Sequence, residues 1–116
     1  MGSIRIVYDT QGDILDVDFR LTGKRPQRGI ELHDNITLWT DTAQTTPIRL
    51  MLLSYSRLLE QSGLCLDKLK QLPARQRVKV VKLLTHEPLK RLLTCLNEEE
   101  CRFQVIEPKV KELAAA

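Results

Sequence analysis

Aromatic side chains are scarce in this chain: one Trp, two Tyr and two Phe among 116 residues, or 4%. A core must therefore be assembled from Leu, Ile and Val. No apolar run approaches the roughly 20 residues that a bilayer-spanning helix needs, so a helical membrane protein is excluded. The opening residues Met1-Gly2-Ser3-Ile4-Arg5 lack the apolar core of an export signal and lead straight into a strand-like pattern, which also argues against lipidation at Gly2. Cysteine is limited to Cys65, Cys95 and Cys101, with no C-x-x-C pair. With no export signal, these are expected as reduced thiols in a cytoplasmic protein. The five glycines are scattered, so there is no phosphate-binding loop. The only histidines, His33 and His86, stand far apart and neither has a partner ligand at i, i+4.

What is present is a normal globular composition, 42% hydrophobic and 28% charged, in a length that suits a single domain over 1–116. The net charge of +3 is unevenly spread. Residues 67–91 hold eight bases (Lys68, Lys70, Arg75, Arg77, Lys79, Lys82, Lys90, Arg91) against only Asp67 and Glu87. The segments before and after it are slightly acidic. Positive charge is thus a local block, and a local block is more informative than the total.

The first half, 4–53, reads as strands. Ile4, Ile6 and Tyr8 alternate, Asp9 to Asp13 form a turn around Gly12, and Leu15, Val17 and Phe19 alternate with Asp16 and Asp18. A polar connection with Gly23 and Pro26 follows. Gly29 to Leu32 starts a strand, His33-Asp34-Asn35 reads as a bulge or tight turn, and Ile36, Leu38 and Thr40 alternate. After a polar turn at 42–46, Pro47 opens Ile48 to Leu53, an apolar run that suggests burial on both faces and few charges to guard an edge.

The second half, 54–106, turns mainly helical. Ser54 to Gln61 suits a short helix before Gly63, and Leu66, Leu69 and Leu72 recur every third residue. Ala74 to Thr85 predicts a helix with Val78, Val80, Val81, Leu83 and Leu84 on one broad face and Arg75, Lys79, Lys82 and His86 opposite, with Arg77 the misfit. Pro88 opens a further expected helix with the stripe Leu89, Leu92, Leu93, Leu96 and a cap at Asn97. Cys101 to Ile106 is expected as a closing strand at the sheet edge, before Pro108. The fold expected is α+β: an antiparallel sheet of four to five strands from the N-terminal half, packed by three to four helices from the C-terminal half.

Tyr8-Asp9, Asp13 and Leu15 fit a Y-D-x-x-x-D-x-L pattern, Asp34 to Asp41 (DNITLWTD) follows at a suitable distance, and Ile48 to Ser54 closes the match. Over residues 4–54 the chain resembles the bacterial domain-of-unknown-function family 2283. That family typically reads Y-D-x-x-x-D-x-L-Y-I, then an acidic strand, then G-I-E-I-L-x-x-S. Asp16 stands where the family usually has Tyr, Pro47 for its Gly and Arg49 for its Glu. The resemblance implies structural roles for Tyr8, Asp9, Asp13, Leu15 and Ser54. It also implies an antitoxin or partner role, because genes of the family sometimes lie beside small toxin-like genes.

The acids Asp9, Asp13, Asp16 and Asp18 lack the converging oxygens and terminal Glu of a calcium loop and read instead as turn and surface residues. No Ser or Cys pairs with a His and an acid, so no catalytic constellation, cofactor or bound metal is expected, and the chain reads as a non-enzyme. The expected function is an interaction or regulatory protein that binds another protein through its sheet edge or helical half, as a homodimer and away from membranes. The alternatives are an antitoxin-like nucleic-acid regulator using 68–91, and an enzyme of unknown type. Arg75, Lys79, Lys82, Lys90 and Arg91 are the candidate contacts for a partner or nucleic acid. The block carries no interleaved aromatics, which disfavours base stacking.

Overall fold

A computed structural model describes residues 4–19 and 27–107. Met1-Gly2-Ser3, the connection with Gly23 and Pro26, and Pro108 lie outside them. The fold is α+β. Strands β1 (Arg5–Asp9), β2 (Ile14–Asp18), β3 (Gln27–His33), β4 (Ile36–Asp41) and β5 (Pro47–Leu53) form one antiparallel sheet in the order β1-β2-β5-β4-β3. The second half supplies helices α1 (Tyr55–Glu60), α2 (Asp67–Lys70) and α3 (Ala74–Leu84) and a 3₁₀ turn at Leu89–Arg91. It also supplies a second sheet, β6-β8-β7, from Leu64–Cys65, Arg102–Val105 and Leu93–Asn97.

Alternation along the first-half strands decides the layers. Cross-strand register sets Ile6, Val17, Leu50, Leu38 and Ile30 in one row, and Leu15, Leu52 and Ile36 in the next. From Val17 to Ile30 and from Leu15 to Ile36 these residues are buried, and they share one core with Tyr55, Leu58, Leu69, Val80, Leu84, Phe103 and Val105. The core is mainly aliphatic, with Phe19, Tyr55 and Phe103 as its aromatic members.

Three expectations are corrected. The first concerns Ile48 to Leu53, which is not an edge: β5 lies between β2 and β4. Nor is it buried on both faces, since Leu50 and Leu52 are inaccessible while Leu53 is 37% exposed. The second concerns the stripe Leu89, Leu92, Leu93, Leu96, which is not a helix. After the 3₁₀ turn, Leu93 and Cys95 pair with Val105 and Phe103 in β7–β8, and Leu96 is 53% exposed. Thr94 and Cys95 are weak helix formers, and antiparallel pairing with the next strand, across the turn at 98–101, overrides the leucine spacing. Asn97 accepts the Glu100 amide (3.1 Å) in the β7–β8 turn instead of capping a helix. The third concerns the closing strand, β8, which pairs with β6 and β7 and not with the large sheet.

Tyr55 donates to the Ile106 carbonyl (3.2 Å) and meets the Tyr8 ring edge-on at 6.0 Å. Burial, with Glu107 and Tyr8 adding to it, pushes the Tyr55 phenol up to about 12. The Tyr8 phenol is also raised above 10.0, chiefly by its hydrogen bond to Asp13. Because both tyrosines ionise later in the folded chain than in the unfolded one, folding loses stability as pH rises above about 10. A 295 nm titration should place both phenols above 10.0, with Tyr55 as the later of the two.

Candidate functional site: the exposed face of α3

Three of the four acids of the first hairpin, Asp9, Asp13 and Asp16, have separate roles. Asp9 Oδ1 accepts the Gln11 amide (3.1 Å). Asp13, at φ 54, accepts from Tyr8 Oη (2.7 Å), Ser56 Oγ (2.6 Å) and the Ser56 amide, and so ties the hairpin to α1. Ser54 adopts φ 52 at the start of α1, and Leu15 is buried. The motif positions Tyr8, Asp9, Asp13, Leu15 and Ser54 thus shape one corner of the fold. Asp16 accepts Arg49 Nε (2.8 Å) as one half of a bidentate pair. Two of the three departures from the family pattern, Asp16 and Arg49, are therefore bonded to each other. Arg49 also lies over Trp39, 5.2 Å from the ring centroid. Trp39 in turn stands opposite Gly29, where its indole would meet an added Cβ at 3.1 Å. Asp16, Arg49, Trp39 and Gly29 thus occupy one another on the outer face of the sheet.

These bonds set an acid dependence. Hydrogen bonds from Ser56 and Tyr8 hold the Asp13 carboxyl below its usual 3.8. Thr45, donating from both its hydroxyl and its amide (2.7 Å each), together with the Thr46 amide does the same for Asp41. A depressed carboxyl stabilises the fold above its unfolded pKa, and that stability is lost as pH falls through the folded value. The melting temperature should fall as pH is lowered from about 5 to about 2. The slope should flatten in the double variant Asp13→Asn, Asp41→Asn.

Both histidines serve the backbone. His33 Nδ1 accepts the Asn35 amide (3.1 Å). His86 Nδ1 donates to the Lys82 carbonyl (2.6 Å) at the C-terminus of α3. Among the described residues no group of three or more His, Cys, Asp or Glu converges as a metal site. The three cysteines are free thiols of the small-sheet region. Burial raises the Cys95 and Cys101 thiols above 9.0. No helix among the described residues is long and apolar enough to cross a membrane.

The basic block divides in two. Glu87 accepts Arg91 Nε at 2.6 Å and stands 3.4 Å from Lys90 Nζ, so it pairs with two of the five candidates, and its own carboxyl is lowered first by Arg91. Lys68 pairs with Glu31 (2.6 Å) and Asp34 (3.1 Å). The misfit Arg77 turns back along the apolar side of α3 and donates to the Lys70 carbonyl at the end of α2 (3.1 Å). What remains is Lys70 on α2 and, on α3, Arg75, Lys79 and Lys82, exposed at i, i+4 and i+7 on one face of the helix. None of the three takes part in an ion pair among the described residues.

The apolar arc of α3 is narrower than its valines suggest. Val80 and Leu84 are buried, but Val78 is 66% exposed, the most exposed large apolar side chain described. At 100° per residue Val78 falls 40° from Lys82 and 60° from Arg75, beside the cations. Next to it an open groove of about 450 Å³ is lined by Val78, Val81, Lys82, Thr85 and His86, with Glu98 and Glu99 of the β7–β8 turn among the other wall residues. This face offers one apolar anchor point flanked by unpaired cations. No family model, curated protein or solved structure matches the chain.

Proposed function

We propose that the chain is a non-catalytic cytoplasmic binding protein whose exposed α3 face docks an acidic segment of another protein. The observation that carries this reading is Val78, 66% exposed beside Arg75, Lys79 and Lys82. Burying a valine is worth roughly 1.5–3 kcal/mol, and a partner carboxylate that meets these cations adds charge-assisted hydrogen bonds. A phosphate backbone would gain from the three cations but nothing from the valine, which supports a protein over a nucleic acid as the partner. The pairing of Lys90 and Arg91 with Glu87 points the same way, because dedicated DNA binders make about 6–10 phosphate contacts. Ser56, the one serine among the described residues bonded to a carboxylate, bonds no histidine there, which supports a binding role over an acyl-transfer enzyme.

The test is to immobilise the chain, expose it to extract from the cells that express it, and treat the retained material with nuclease or protease. The reading expects a protein that survives nuclease, is released at about 0.5 M salt, where screening is strong, and is not retained by the variant Arg75→Gln, Lys79→Gln, Lys82→Gln. Retention of nucleic acid alone would replace the reading with the nucleic-acid one.

A further inference from the structure

The two edges of the large sheet are treated differently. On β3 the pairing with β4 shifts register between Glu31 and His33, Lys68 bonds Glu31 across from α2, and α2 packs against the strand. A bulge, a salt bridge and a covering helix are the usual protections of an edge. On β1 none of these is present among the described residues. The strand pairs only with β2, four of its five residues are exposed, and Val7 (46%) and Tyr8 (45%) lie open on its two faces.

The sequence of β1 is Arg5-Ile6-Val7-Tyr8-Asp9, a cation, three apolar residues and an anion. That order is self-complementary when read antiparallel. We propose that β1 is a self-recognition edge, at which a second copy of this chain pairs antiparallel with Val7 on the two-fold axis. Arg5 then stands opposite Asp9 of the second copy, twice per dimer, on the outer face with the Val7 pair between. On the inner face Ile6 stands opposite Tyr8, also twice, and extends the apolar row that Leu15 and Val17 begin. Directly opposed side chains on paired strands lie about 4.5–5.5 Å apart at Cβ, close enough for the ion pairs and the apolar pairs to form.

The register is specified. A one-residue slip would set the inner face of one copy against the outer face of the other. A two-residue slip in either direction moves Arg5 off Asp9, opposite Val7 or beyond the strand, and loses both ion pairs. A five-residue edge buries less than the roughly 1,200–2,000 Å² of a stable interface, so the dimer forms reversibly at micromolar concentration.

Sedimentation velocity over about 1–200 µM tests this, since that range spans a weak interface. The wild-type chain is expected to shift from monomer to dimer with rising concentration. Arg5→Asp places two acids opposite each other at both sites, and Asp9→Arg places two bases there. Each single variant should weaken self-association by about tenfold or more. Arg5→Asp sets an acid opposite Asp18 of β2 and Asp9→Arg gives up the bond to the Gln11 amide, so each should lower the melting temperature modestly, and self-association is compared well below either melting transition. An equimolar mixture of the two single variants should dimerise again, because each carries the charges the other lacks. A wild-type chain that stays monomeric throughout the range would overturn the proposal. So would single variants that dimerise like the wild type, or a mixture no more associated than its components. The outcome is independent of the α3 face, since Arg75→Gln, Lys79→Gln, Lys82→Gln should dimerise unchanged.

Discussion

Replacing Leu50 by alanine is expected to lower stability by about 3–4 kcal/mol, within the range of fully buried leucines. Leu50 is inaccessible to solvent on the central strand, between Val17 and Leu38, with no free edge toward which neighbours could shift to fill the void. Against a total of about 5–15 kcal/mol, a loss of that size should lower the melting temperature by on the order of 10–15 °C. Leu53 on the same strand supplies the control. It is 37% exposed, and truncation there should stay within roughly 0.5–1 kcal/mol. Equal losses at the two positions, measured by denaturant unfolding, would contradict a one-sided core.

The second large effect concerns binding. Lys79→Glu combined with Lys82→Glu should weaken partner affinity by about 100-fold, or 2.7 kcal/mol. The melting temperature should barely move, because both side chains are exposed and neither forms an ion pair among the described residues. Lys90→Glu combined with Arg91→Glu should affect binding far less, since those cations already face Glu87. Equal effects from the two pairs would mean that the block acts through its net charge and not through the α3 face.

The strands of the first half could be read from sequence because each carries its own alternation and its own turn. Leu15 to Phe19 and Ile36 to Thr40 need no distant information to show which side faces inward. The strand order could not be read this way. β5 enters between β2 and β4, a non-local choice, and this insertion leaves β1 as the unguarded edge in place of Ile48 to Leu53. The leucines of 89–96 are a different case, since their spacing suits a helix while the hairpin that forms pairs Leu93 to Asn97 with residues five to twelve positions further along. At the α3 face the charges are legible in the sequence, and two further signals accompany them. Glu87 stands at i+3 and i+4 spacing from Lys90 and Arg91, a signal of local pairing. Val78 lies on the margin of the helical arc, beside Lys82, which already separates it from Val80 and Leu84.

The account rests most directly on what touches Val78. A photo-crosslinking amino acid placed at position 78 in the native cells, with the adduct identified by mass spectrometry, tests it in one step. A control probe belongs at Leu96, which is comparably exposed at 53% but lies on β7. The account predicts a protein adduct at position 78 that maps to a segment rich in Asp and Glu and is absent in the Arg75→Gln, Lys79→Gln, Lys82→Gln background. An adduct to nucleic acid, to a segment without acidic residues, or to the same species from both positions would contradict it.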